Sequence, residues 1–102
     1  MTHRIALSER AIEDLAALRR WIAGEAGPAV AIGYLARVEA RIALLAEFPN
    51  RGTPRDDLLP GMRTASFEKR LIIAYRVIGM EVQILRVISM HRDLNALMMP
   101  DR

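Results

Sequence analysis

Residues 70–93, RLIIAYRVIGMEVQILRVISMHRD, hold two apolar runs rich in β-branched residues, Leu71–Ile78 and Val82–Ile88, separated by Gly79-Met80. β-Branched side chains fit a pleated surface and a glycine suits a tight turn, so this stretch predicts a hairpin at the centre of a sheet. Its far end runs into Met90-His91-Arg92-Asp93, which places the most reactive side chains at the end of the core element. A two-residue turn pairs Arg76 with Gln83 and Ile78 with Glu81. Arg86 then falls on the opposite face, among Ile73, Tyr75, Val82 and Ile84, where a guanidinium needs a carboxylate, a backbone carbonyl or the sheet margin.

Upstream, Met62 to Phe67 reads as a further strand, connected to the hairpin through Glu68 and Lys69. Asn50 to Gly61, NRGTPRDDLLPG, has the Pro, Gly, Asn and Asp content of an ordered surface loop. The first half of the chain changes period. After a short strand at His3–Leu7, Ser8 is a good helix N-cap, Glu9 suits the positive end of the helix dipole, and Leu7 can staple onto Ile12.

Ala11, Leu15, Leu18 and Ile22 then recur at helical spacing, and Gly24 and Gly27 end the pattern. Pro28 suits the first turn of a second helix, whose stripe is Ala31, Leu35, Val38, Ile42 and Leu45; it reaches about Phe48, where Pro49 stops it. Trp21 and Tyr34 flank these stripes, with partly buried packing as their first reading and a binding contact as the other. The expectation is a single α+β domain over residues 1–102, a helical hairpin on one face of a small, mainly antiparallel sheet, in the order β-α-α-β-β-β. After Asp93 the tail LNALMMPDR reads either as one helical turn or as a segment that stays loose until something covers Leu94, Leu97 and Met98.

The chain has 102 residues, 52% of them hydrophobic, enough for one core. Its net charge is only +3, yet fourteen of its fifteen basic residues are arginine, the exception being Lys69. Guanidinium groups bind carboxylates and phosphates through paired donors, which suits acidic protein or nucleic acid as partners; a GC-rich coding sequence gives the same bias. With no cysteine, disulfides, thiolate zinc sites and cysteine nucleophiles are excluded. No apolar run approaches the roughly 20 residues of a bilayer span, so a cytoplasmic protein without membrane contact is expected.

No glycine-rich phosphate loop, metal-spaced His or carboxylate cluster, or Gly-x-Ser-x-Gly elbow is present. What remains is a scatter of arginines, Arg63, Arg70, Arg76, Arg86 and Arg92, with His91 beside the last. An acid-base histidine flanked by arginines is chemistry that can cleave RNA; solvated surface residues are the other reading of the same positions.

The order of these elements, together with particular residues, resembles the ParE toxins of the RelE/ParE superfamily, also known as plasmid stabilisation proteins. The marks are Leu7-Ser8-x-x-Ala11 with Asp14-Leu15, then Trp21-Ile22-Ala23, then Ala46-Glu47-Phe48-Pro49 followed by Gly52-x-Pro54-Arg55. Further on come Gly61-Met62-Arg63, Tyr75-Arg76-Val77, Arg86-Val87-Ile88 and Arg92-Asp93. The resemblance implies the toxin of a type II toxin-antitoxin pair, held by a ParD-like antitoxin that alone binds operator DNA, with DNA gyrase as the target. It implies no metal, cofactor or catalytic residue.

RelE-like members instead cut mRNA on the ribosome. Aligned on Tyr75-Arg76-Val77, their catalytic strand arginine falls on Ile72, and no tyrosine follows Arg92. Ser89-Met90 stands where many ParE members have His-Gly. Under this resemblance Arg63, Arg76, Arg86, His91 and Arg92 are candidates for target binding, and Trp21, Tyr34, Leu94, Leu97 and Met98 for the antitoxin. A ribosome-dependent nuclease using His91 and Arg92, and a family member that only binds its antitoxin, stay open as alternatives.

Overall fold

The computed structural model describes residues 2–90. The chain runs β1 (Arg4–Leu7), α1 (Glu9–Ala26), α2 (Pro28–Glu47), β2 (Thr53–Pro54), β3 (Met62–Phe67), β4 (Leu71–Ile78) and β5 (Glu81–Ser89). Ser8 caps α1 by accepting from the Ala11 amide, and Gly27, at φ 98°, joins the two helices in a conformation that favours glycine. Pro28 opens α2 as its sequence predicts.

The sheet has the order β1-β5-β4-β3-β2 and is antiparallel except for β1, which runs parallel to β5 with Arg4 opposite Glu81 and Leu7 opposite Ile84. The first and last strands of the described residues are therefore neighbours. The central hairpin has the expected register, Arg76 opposite Gln83 and Ile78 opposite Glu81. The loop after α2 does more than cross the surface, because Thr53-Pro54 adds a short edge strand to β3.

One face of the sheet carries the helical hairpin. Ala11, Val38, Ile42 and Leu45 meet Ile73, Tyr75, Val82, Ile84 and Val87, all buried. All five residues of the α2 stripe are buried, as their spacing requires. The other face holds a smaller cluster, Met62, Ala74 and Ile88, packed with Ile72 and Leu85 under Leu58 and Leu59 of the loop.

Three sequence expectations need correction. Arg86 does not fall in a row with Ile73, Tyr75, Val82 and Ile84, because the ladder slips between Tyr75 opposite Ile84 and Ala74 opposite Arg86, leaving Leu85 as an extra residue. The slip is a β-bulge, and it turns Val87 to the helix side. Its cause lies next to it: β1 ends at Leu7, and α1 takes over the margin of β5. The Ser8 hydroxyl donates to the Leu85 carbonyl at 2.9 Å, and the Asp14 carboxylate accepts from the Val87 amide at 2.9 Å.

Trp21 is not partly buried either; it is 63% exposed, one position off the stripe through Leu18 and Ile22. Leu7 and Ile12 also stay exposed, so a staple between them contributes little burial.

Candidate functional site

Where the helical hairpin and the end of the sheet part, they leave an open groove of about 1030 Å³. Leu18, Trp21, Ile22 and Glu25 of α1 with Val30 and Tyr34 of α2 line one wall; Lys69, Arg70 and Leu71 and the end of β5 at Val87–Ser89 line the other. The lining is mostly apolar, and Trp21 and Val30 at its mouth are more than half exposed.

The Tyr34 side of the groove is tightly organised. The Tyr34 ring meets Phe67 edge-on, centroids 5.7 Å apart, and carries the Arg37 guanidinium 5.1 Å from its own centroid. Arg37 donates to both carboxylate oxygens of Glu68, at 2.9 and 3.3 Å. That hydrogen bond, more than the charge alone, holds the Glu68 carboxyl below its ordinary pKa. Burial first, and then Glu68, push the Tyr34 hydroxyl above its ordinary value, so it stays protonated near neutrality.

Glu68, Lys69 and Arg70 connect β3 to β4, and the first two, central to the turn closed by the Arg70 amide on the Phe67 carbonyl, take positive φ, 49° and 55°. Hairpin turns of this kind favour Asn-Gly, and a side chain there costs on the order of 1 kcal/mol per residue. The strained turn sets Lys69 and Arg70 on the groove wall. Among the described residues neither forms an ion pair, while Glu25 stands on the helical wall. The groove thus has an apolar bed, two cations on the sheet side and two carboxylates on the helix side, Asp14, which is paired with Arg86, and Glu25.

The arginines singled out by sequence are not gathered into one site. Arg63 stands opposite Tyr75, on the helix side, and donates to the carbonyls of Asn50 and Gly52 at 3.1 and 2.7 Å. Arg76 stands opposite Met62 on the other face and donates to Gln83 at 3.2 Å, which in turn donates to Glu81. Arg86 makes a bidentate pair with Asp14, 2.8 and 3.0 Å, in a setting where both side chains are less than 15% exposed. The Asp14 hydrogen bond raises the Arg86 pKa further. His91, Arg92, Leu94, Leu97 and Met98 lie outside the described residues.

The sequence reading missed Asp14 as the partner of Arg86. A carboxylate one residue before Leu15, in the apolar stripe, was the signal. It also missed the Lys69-Arg70 pair on the groove wall, whose signal was a three-residue connection, Glu68-Lys69-Arg70, without the Asn or Gly that tight turns prefer. Tyr75 is fully buried and serves the fold: its hydroxyl donates to the Pro49 carbonyl at 2.8 Å and accepts from the Gly52 amide at 2.9 Å. Gly52 has no room for a side chain, since a Cβ there would lie 2.5 Å from that hydroxyl and 2.9 Å from the Thr64 carbonyl. Among the described residues no group of three or more His, Cys, Asp or Glu is placed to hold a metal, and no helix is long and apolar enough to cross a membrane.

The architecture is a helical hairpin on one face of a mixed five-stranded sheet, with a groove where the two part. The chain belongs to the ParE toxin family: residues 5–94 match the family described as "ParE toxin of type II toxin-antitoxin system, parDE". It is 36% identical over 83 residues to Toxin ParE3 of Caulobacter vibrioides, covering 81% of this chain and 82% of that one. It is 33% identical over 90 residues to Toxin ParE1 of the same organism, covering 88% and 90%. Among solved structures it is similar to the chromosomal ParDE toxin-antitoxin system of P. aeruginosa, with a TM-score of 0.75, 27% identity and coverage of 86% of this chain and 96% of that one. The RelBE2 toxin-antitoxin complex of Mycobacterium tuberculosis matches with a TM-score of 0.64, 26% identity and coverage of 87% and 99%.

Proposed function

We propose that this chain is a toxin that acts by binding, with DNA gyrase as its target, and that a ParD-like antitoxin neutralises it by occupying the groove between the helical hairpin and the sheet. Membership of the ParE family supports the target class. The observation that carries the binding reading is the fate of the arginines. Arg86 is closed onto Asp14, Arg63 onto backbone carbonyls, and Ile72, at the position of the RelE-like strand arginine, packs against Met62, Ala74 and Ile88. An apolar, partly exposed groove supports the antitoxin seat, since an amphipathic segment buries its apolar face in such a bed.

Purified gyrase assayed for supercoiling and cleavage-complex formation, with the purified chain alone or with its antitoxin, tests the reading. Inhibition that the antitoxin reverses is the expected result. Unchanged gyrase together with mRNA cleavage on translating ribosomes would transfer the function to the RelE-like nuclease reading, which the RelBE2 likeness keeps in view.

A further inference from the structure

The strained turn at Glu68-Lys69 has an unexplained cost. A hairpin needs only a tight reversal there, and Asn-Gly would supply it without strain. Instead the chain keeps two charged side chains at φ 49° and 55° and ties the first to Arg37 of α2 by a bidentate ion pair. The outcome is positional: the second side chain, Lys69, and its neighbour Arg70 stand on the groove wall. Arg37 and Arg86, the other cations nearby, are already paired with Glu68 and Asp14. Strain that persists at the rim of a binding surface points to a role for the residues that bear it.

Resting on the antitoxin reading given above, we infer that Lys69 and Arg70 form a charge clamp that selects the antitoxin segment by a carboxylate on its sheet-facing side. The occupant is an amphipathic segment. Its apolar side chains lie over Leu18, Ile22 and Val30, its carboxylate meets Lys69 and Arg70, and a cation on its other flank suits Glu25. Glu68 and Arg37 are positioning residues: they hold the turn and do not touch the occupant. Opposite charges on the two walls fix the direction in which the segment lies, because reversing it sets like charges against each other.

The test uses the full chain and the antitoxin cloned by its ability to suppress this chain's growth arrest. Binding is titrated for the wild type and for Lys69→Glu/Arg70→Glu, with thermal unfolding as the control for folding. The clamp predicts a loss of affinity of about tenfold or more, in off-rate as well as on-rate, at an unchanged unfolding midpoint. A compensating Glu→Lys change in the antitoxin should restore it. Lys69→Gly separates clamp from scaffold: relief of strain should raise the unfolding midpoint while affinity falls. If the wild type binds tightly and both variants bind equally well, the clamp is wrong and the antitoxin reading stands. If the wild type does not bind at all, the antitoxin reading fails and the clamp with it.

Discussion

The two ends of α1 meet the sheet in opposite ways. At its N-terminal end the seam is closed by matched polar groups: Ser8 bridges the Ala11 amide and the Leu85 carbonyl, and Asp14 takes both Arg86 and the Val87 amide. At its C-terminal end, Trp21 and Val30 stand exposed over a groove whose cations, Lys69 and Arg70, form no close ion pair among the described residues. One helix therefore serves as a seam at one end and as a groove wall at the other. Satisfied polar contacts mark the part that holds the fold, and unmatched ones mark the part available to a partner.

The sharpest way to break this contrast is Asp14→Ala. It leaves the Arg86 charge half-enclosed and the Val87 amide without its acceptor, so a loss of about 3 kcal/mol is expected in denaturant unfolding. Asp14→Asn, which keeps an acceptor, should lose less. Next comes Tyr75→Phe, which strands the Pro49 carbonyl and the Gly52 amide; about 2 kcal/mol should be lost with little change in overall structure.

At the open end the sign changes. Lys69→Gly should stabilise the chain by about 1 kcal/mol in thermal unfolding, because the turn's strain is released. Trp21→Ala should leave stability within about 0.5 kcal/mol, as for other exposed positions, yet weaken antitoxin binding measured by calorimetry. A Trp21→Ala variant as unstable as Asp14→Ala would dissolve the distinction between the two ends.

The smallest effect is a pH dependence. Arg37 depresses the folded-state pKa of Glu68 below its unfolded value, so this contact contributes fully above the ordinary Glu range. The contribution disappears as pH falls through the depressed value. NMR titration of the Glu68 carboxyl should show a midpoint below the ordinary one, returning to it in Arg37→Ala.

Periodicity made the scaffold legible. The buried stripe of α2, the bounds of β3 and the register of the central hairpin all follow from spacing and from one glycine turn, because helix and strand periods act over neighbouring residues. The bulge at Leu85 was not legible, since it depends on Ser8 and Asp14 arriving from more than seventy positions away. The same limit hid the site. Arginines could be counted in sequence, but whether Arg86 is free or closed onto Asp14 is a matter of tertiary partners. The two-residue β2 carries too few side chains to show any period.

The parallel pairing of β1 with β5 has a consequence for the order of synthesis. β5 is hydrogen-bonded to both β1 and β4, yet it is the last strand of the described chain to leave the ribosome. Until it emerges, β1 has no strand beside it, the Asp14 carboxylate lacks the Arg86 guanidinium, and the α2 stripe faces an incomplete sheet. Contacts between such distant positions form slowly and late. A ribosome that stalls before β5 therefore releases a fragment in which neither the seam nor the groove has been assembled.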